Sequence, residues 1–417
     1  MALIAFGALI VSPWLVILAM LVVAVVAVVD VRAAAKPPSI VRTHPDVLAR
    51  GVAGDFKVEA SGVPPNRLRL RQPLGPDLSL LGQPSTDSGV GWGKVGVAGD
   101  QIGAKVVARR RGRHLLAPVV ARCTGPLGLM QRDHYCGPAT EVLTYPDMPA
   151  ARRIARAVRS GRFLDDGRAV GALGIGTDFE HVRDYVPDDD IRQLNWAATD
   201  RVGRPMSNQY REDRDREVIV AVDAGRLMTA PVGDRTRLDA ALDAFVALAA
   251  VADVVGDRIG VVVYDSKVRL DLRPRRGGAR LVVNALFDLE PTMVDADHRR
   301  AFTVVAGRKR SLVVVLTDVM DPDAAANLID ALPVLTRRHA VLIAGVNDPD
   351  LVRMATGDPT GTVGRYQAAV AADLLRSRRK VVDQMASVGA VTVDAEPDEL
   401  ATRSVAAYLR LKSRARL

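Results

Sequence analysis

Residues 177–223 read TDFEHVRDYVPDDDIRQLNWAATDRVGRPMSNQYREDRDREVIVAVD, and the organisation of the chain turns on how this stretch is read. It is dense in Asp, Arg, Tyr and Trp, yet it runs directly into an apolar strand, 218–222, that ends on the carboxylate of Asp223. Three consecutive carboxylates, Asp188, Asp189 and Asp190, repel one another unless cations lie close by. Arg183, Arg192, Arg201 and Arg204 are near enough in sequence to supply them. On charge alone the stretch is a solvated linker. What surrounds it is more regular.

Downstream, apolar strands alternate with amphipathic helices. Strands are predicted at 218–222, 259–264, 312–316, 340–345 and 390–393, with 268–272 as an edge partner. Helices are predicted at 238–255, 279–289, 324–338, 366–388 and 400–412. Purely apolar strands between such helices imply a mostly parallel sheet covered on both faces, a doubly wound α/β domain. Ligands of such sheets bind outside the carboxyl ends of the strands, where strand order reverses. Asp223 ends the first strand, and Thr317 and Asp318 end the central later one. A strand order of 3-2-1-4-5-6 would bring these two ends together.

Within the opening stretch and just before it, Gly176, Phe179, Arg183, Tyr185, Pro187, Asp189, Asp190, Arg192, Asn195, Trp196 and Arg201 form a recurring pattern. They resemble the signature of the bacterial family known as domain of unknown function fifty-eight. Asp188 stands where that family usually has Gly, and Asp200 where it often has Ala. The resemblance implies a second half like a von Willebrand factor A domain and an association with MoxR-type AAA+ ATPases. It also implies a metal site built from an Asp-x-Ser-x-Ser loop, a Thr on a later loop and a further Asp. Asp223 and Asp318 match the two Asp positions, Thr292 is the candidate Thr, and the Ser positions are occupied by Gly225 and Leu227. Magnesium needs near-octahedral oxygen ligation, so the expectation is a degenerate site with no cofactor beyond a weakly held magnesium ion. In place of a site, Arg183, Tyr185, Asp189, Asp190, Arg192 and Trp196 are expected to form a packed, charge-paired collar. Trp196, being large and apolar, should be buried in it.

Upstream, residues 2–29 carry no charged side chain. About 20 apolar residues cross a bilayer as a helix, so this run spans once, and Ser12-Pro13 leaves room for a hairpin. A cleaved signal peptide is disfavoured by the missing basic n-region and the long apolar core. Arg32, Lys36 and Arg42 follow the run, and by the positive-inside rule they place the body in the cytoplasm. The resembling family usually has two such spans. Short segments at 56–59, 68–71, 106–109 and 119–122 read as strands, and Leu68 and Leu70 alternating with Arg69 and Arg71 suggest a small β-sandwich. A helix is expected within 146–158.

Several other patterns lead nowhere. Gly91-Trp92-Gly93-Lys94-Val95-Gly96 fits GxGxxG, but no βαβ unit follows it. Cys123, His134 and Cys136 lack a second Cys pair for a structural zinc site, and a cytoplasmic body leaves both thiols reduced. There is no GxSxG, HExxH or GxxxxGK[ST]. The net charge of +9 suits anionic lipid or an acidic partner. With aromatics at 4%, no basic stripe is interleaved with stacking rings, which argues against nucleic acid.

The chain therefore reads as an α+β multidomain protein. Its expected parts are an N-terminal membrane helix (1–38), a β-sandwich-like region (39–145), a linker helix with the signature (146–217) and a von Willebrand factor A-like domain (218–417). The expected role is a non-enzymatic, membrane-anchored adaptor for a MoxR-type ATPase in envelope or metalloprotein maturation. A hydrolase using the signature carboxylates and an extracytoplasmic binding module are the alternatives.

Overall fold

The computed structural model describes residues 13–81, 97–98, 100–165, 168–169, 178–186, 194–211, 216–318, 322–358 and 360–414. They divide into two compact units, Met1–Tyr145 and Pro146–Leu417.

The first unit opens with α1 (Pro13–Ala34). Its segment Trp14–Ala34 has a mean hydropathy of 2.9 and is long and apolar enough to cross a membrane. Among the described residues eleven short strands follow: β1 (Ser39–Thr43), β2 (Val47–Ala49), β3 (Gly54–Ser61), β4 (Leu68–Arg71), β5 (Leu78–Leu81), β6 (Val97–Ala98), β7 (Gln101–Ala108), β8 (Gly112–Leu116), β9 (Val119–Thr124), β10 (Gln131–Cys136) and β11 (Thr140–Tyr145). They form sheets ordered β1-β3-β7-β5, β10-β9-β4-β6 and β2-β11-β8. Period-two alternation explains the packing. Leu68 and Leu70 point inward while Arg69 is exposed, and they join Phe56, Val58, Ile102 and Val106 in one apolar core. Cys123 is buried in that core and Cys136 half-buried beside it, both as free thiols. The GxGxxG segment lies outside the described residues.

The second unit begins with α2 (Met148–Arg159), whose N-cap Asp147 accepts a hydrogen bond from Ala150 N. Two short strands, β12 (Leu164–Asp165) and β13 (Arg168–Ala169), pair with each other. The signature region is a two-stranded antiparallel ribbon of β14 (Asp178–Asp184) and β15 (Met206–Arg211). A short helix, α3 (Trp196–Val202), lies between those strands in sequence.

The α/β domain then starts with β16 (Glu217–Asp223), followed by a small hairpin, β17 (Pro231–Val232) and β18 (Arg235–Thr236). Next come α4 (Arg237–Val255), β19 (Arg258–Tyr264), β20 (Val268–Arg276), α5 (Ala279–Leu286), α6 (His298–Ala306) and β21 (Leu312–Leu316). The chain continues through α7 (Pro322–Ala331), α8 (Pro333–Thr336), β22 (Ala340–Val346), α9 (Pro349–Thr356), α10 (Gly361–Ser387), β23 (Ala390–Ala395) and α11 (Pro397–Arg414).

The six-stranded sheet is ordered β20-β19-β16-β21-β22-β23, parallel throughout except for the antiparallel edge strand β20. Numbered within the domain this is 3-2-1-4-5-6, the order that sets the first and fourth strands side by side. Helix α4 is apolar nearly all round and correspondingly buried, packed against α2, α5 and α11. Phe302, Leu328, Leu332, Val381 and Met385 pack against Ile219, Val313 and Ile343 of the sheet.

Three local readings differ from expectation. The helix expected over 324–338 is two helices, because Pro333 lacks the N–H that a continuous helix needs. Helices α6 and α9 were not anticipated. Both are short, and each is started by an Asp N-cap, Asp297 or Asp348, that accepts a backbone N–H bond.

Candidate functional site

The strand order places the carboxyl ends of β16 and β21 side by side, so Asp223 and the Thr317-Asp318 pair share one end of the sheet. Each Asp223 oxygen has a partner: Gly225 N donates to Oδ1 at 2.7 Å and Thr317 Oγ1 donates to Oδ2 at 2.7 Å. The carboxyl is nevertheless buried enough that desolvation pushes it up to about 6, and the nearby Asp265 and Asp295 act in the same direction. In the next strand the side chain of Tyr264, in register with Asp223, is fully buried, and its hydroxyl lies 3.1 Å from His298 Nδ1. Burial holds His298 down at about 4, which makes it a neutral imidazole near pH 7.

Asp318 is engaged differently. Arg237, the first residue of α4, forms an ion pair with its Oδ2, and Arg378 Nη1 of α10 lies 3.6 Å from its Oδ1. Arg378 also reaches Asp394, its Nε donating to Oδ2 at 2.7 Å. All three of Arg237, Arg378 and Asp318 are buried. Removing one partner of such a pair would strand an uncompensated buried charge.

Thr292 is placed by its backbone N, which donates to Ala224 O at 2.8 Å. Its hydroxyl lies 3.1 Å from Ala224 O and 3.2 Å from Asp265 Oδ2. Asp265 in turn accepts from Lys267 N at 3.0 Å. The loop carrying Thr292 and Val294 crosses so close to Gly225 that a Cβ there would sit 2.9 Å from Val294 O and 3.1 Å from Ala296 N. A serine at 225 therefore has no room without moving that loop.

These residues do not fit a divalent cation. Asp223 spends both oxygens on internal donors, Asp318 faces guanidinium groups that would repel a metal, and Thr292 is turned to Ala224 and Asp265. Magnesium requires six oxygens at close to octahedral directions, and the loop offers none from position 225. Among the described residues no group of three or more His, Cys, Asp or Glu side chains is arranged to hold a metal.

The signature residues lie apart from this cluster in sequence, and five of them, Gly176, Pro187, Asp189, Asp190 and Arg192, fall outside the described residues. Phe179 lies in β14 opposite Tyr210. Arg183, half-buried, donates through Nη1 to Asp184 O at 3.0 Å, and Tyr185 N donates to Pro205 O at 3.0 Å. Asn195 is the N-cap of α3: its Oδ1 accepts from Ala198 N at 2.9 Å while its Nδ2 donates to Asn208 Oδ1 at 2.7 Å. Arg201 is exposed in the last turn of α3.

Trp196 is 72% exposed, so the burial expected of it in the collar does not hold, while Asp189, Asp190 and Arg192 of that collar lie outside the described residues. The cause is local. Asn195 fixes the start of a helix of only seven residues, and none of its residues is buried. Trp196 thus occupies the first helical position, on an element with no inward face.

Sequence reasoning missed Arg237 and Arg378, although both left a trace. A cation in the first turn of a helix opposes the macrodipole, and Arg237 sits there beside the capping box of Thr236 and Asp239. Arg378 is the one charged residue on the buried stripe of α10 that includes Ala371, Val381 and Met385.

Comparison with known proteins agrees with the signature. Residues 181–360 match the family described as "Protein of unknown function DUF58", so the chain contains a domain of that family. Similar curated relatives include uncharacterized proteins of Mycobacterium tuberculosis and Mycobacterium bovis. Each is 26% identical over 182 residues, which is 42% of this chain and 56% of the relative. The matched region spans little more than half the length of those relatives.

Proposed function

We propose that this protein is a membrane-anchored adaptor without catalytic activity, its body facing the cytoplasm and its partner a MoxR-type AAA+ ATPase. The observation that carries this reading is the state of the crevice where a doubly wound sheet normally binds its ligand. Asp223, Thr317 and Asp318 converge there, and each is spent on a partner from the same chain. A general acid or base needs a proton acceptor free to reach a substrate, and a metal needs free oxygens. With neither on offer among the described residues of that crevice, the reading turns to exposed surface, and Trp196 with Val202 on α3 presents apolar groups of the kind enriched at interfaces. The 3-2-1-4-5-6 order with one antiparallel edge supports reading the α/β domain as von Willebrand factor A-like.

The test is recovery of the full-length chain from mildly solubilised native membranes, followed by identification of what accompanies it. An AAA+ ATPase of the MoxR type is expected in wild type and lost in Trp196→Asp. Recovery with no ATPase in either sample overturns the partner assignment, and turnover of an envelope substrate by the purified chain overturns the adaptor.

A further inference from the structure

We infer that the hairpin tip between β9 and β10, residues 125–130, is a membrane-contacting loop that enters the lipid interface beside α1. The inference rests on reading α1 as a bilayer anchor. What ties the loop to the helix is Asp30, fully buried although it belongs to the apolar helix. Its Oδ1 accepts from Leu127 N at 2.7 Å and its Oδ2 from Met130 N at 2.7 Å. Gly125 completes the cradle, since a Cβ there would lie 2.3 Å from the Asp30 carboxylate. A further bond joins the end of the helix to β10, with His134 Nε2 2.9 Å from Ala34 O.

The tip is thereby held at a definite height on α1. At about 1.5 Å per residue, Asp30 lies roughly 24 Å from Trp14 and roughly 6 Å short of Ala34. A hydrocarbon core about 30 Å thick that takes in the helix from Trp14 onward therefore reaches Asp30 or stops just past it. A carboxylate survives at that depth only when backbone donors satisfy it, as they do here.

Beside it, Leu127, Leu129 and Met130 are 56%, 59% and 43% exposed, outside the core of the β-region. No charged residue occurs from Thr124 to Gln131. Cations follow both partners in sequence, Arg32 and Lys36 after Asp30 and Arg132 after the tip, and all three are exposed. Apolar side chains at the acyl boundary with basic groups around them match an anionic bilayer surface. A protein partner would have to share that height with lipid already packed around α1, which favours lipid as the occupant.

The experiment places a nitroxide at Leu129→Cys or Val22→Cys in the full chain carrying Cys136→Ser, Cys123 being buried. The protein is reconstituted in vesicles of phosphatidylcholine and phosphatidylglycerol, and collision with oxygen is compared with collision with a water-soluble nickel chelate. Oxygen should dominate at both sites, and Asp30→Ala should shift Leu129 toward the chelate while leaving Val22 unchanged. A lipid-like Val22 with a chelate-accessible Leu129 overturns the loop proposal and leaves the anchor standing. A chelate-accessible Val22 removes the anchor and the proposal together. A Leu129 label shielded from both probes is covered by protein, which also overturns it.

Discussion

Asp223 and His298 are buried within the same domain, and their proton equilibria run in opposite directions. Asp223 is raised by desolvation to about 6 in the folded protein, against roughly 3.9 in an unfolded chain. Its favourable contribution is complete below the unfolded value and is lost as pH rises through about 6, because the folded state must then ionise a buried carboxyl. His298 is lowered to about 4, against roughly 6.5 when free. Its contribution is present above the unfolded value and is lost as pH falls through about 4. Between these limits the two slopes oppose each other. Asp223→Asn, which keeps the shape and can still accept from Gly225 N, should leave only the histidine slope. The variant should match wild type near pH 4 and exceed it near pH 7.5 by on the order of 1–3 kcal/mol in denaturant unfolding. An Asp223→Asn effect of equal size at both pH values would show that the carboxyl does not titrate in this window.

At the scale of elements, the ribbon of β14 and β15 with α3 shows how a cap outranks a large side chain. Asn195 makes two hydrogen bonds, to Ala198 N and to Asn208, whereas Trp196 stands in solvent. Loss of an N-cap costs about 0.5–2 kcal/mol, while surface substitutions away from such features stay within about 0.5 kcal/mol. Asn195→Ala should therefore lower the melting temperature visibly and Trp196→Ala should hardly move it. A larger loss from Trp196→Ala would mean that this side chain is covered in the native protein. The same reasoning explains why α4 tolerates Arg237 in its first turn. The capping box of Thr236 and Asp239 and the carboxylate of Asp318 outweigh the unfavourable dipole.

For the whole molecule, the engaged strand-end carboxylates predict indifference to divalent cations. A site filled at a hundred times its dissociation constant would add about 2.7 kcal/mol of stability. Melting of the detergent-solubilised chain should be the same in millimolar magnesium and in chelator. A reproducible rise with magnesium that Asp223→Ala abolishes would reinstate a metal site.

Much of this fold is legible in the chain by itself. Strands such as 218–222 and 312–316 are pure apolar runs between helices, and burial on both faces leaves that pattern no other outcome. The 28 uncharged residues before Asp30 and the alternation at Leu68 and Leu70 are equally local signals. Tertiary structure decided the rest. That Asp318 meets Arg237 and Arg378 depends on three elements far apart in sequence converging at one end of the sheet, and no periodicity encodes such a meeting. Asp30 reads as the end of an apolar helix until its carboxylate is found among the backbone N–H groups of residues 127 and 130. Burial of a charge is settled by the partners that neutralise it, and those partners are chosen by the fold rather than by neighbours in the chain.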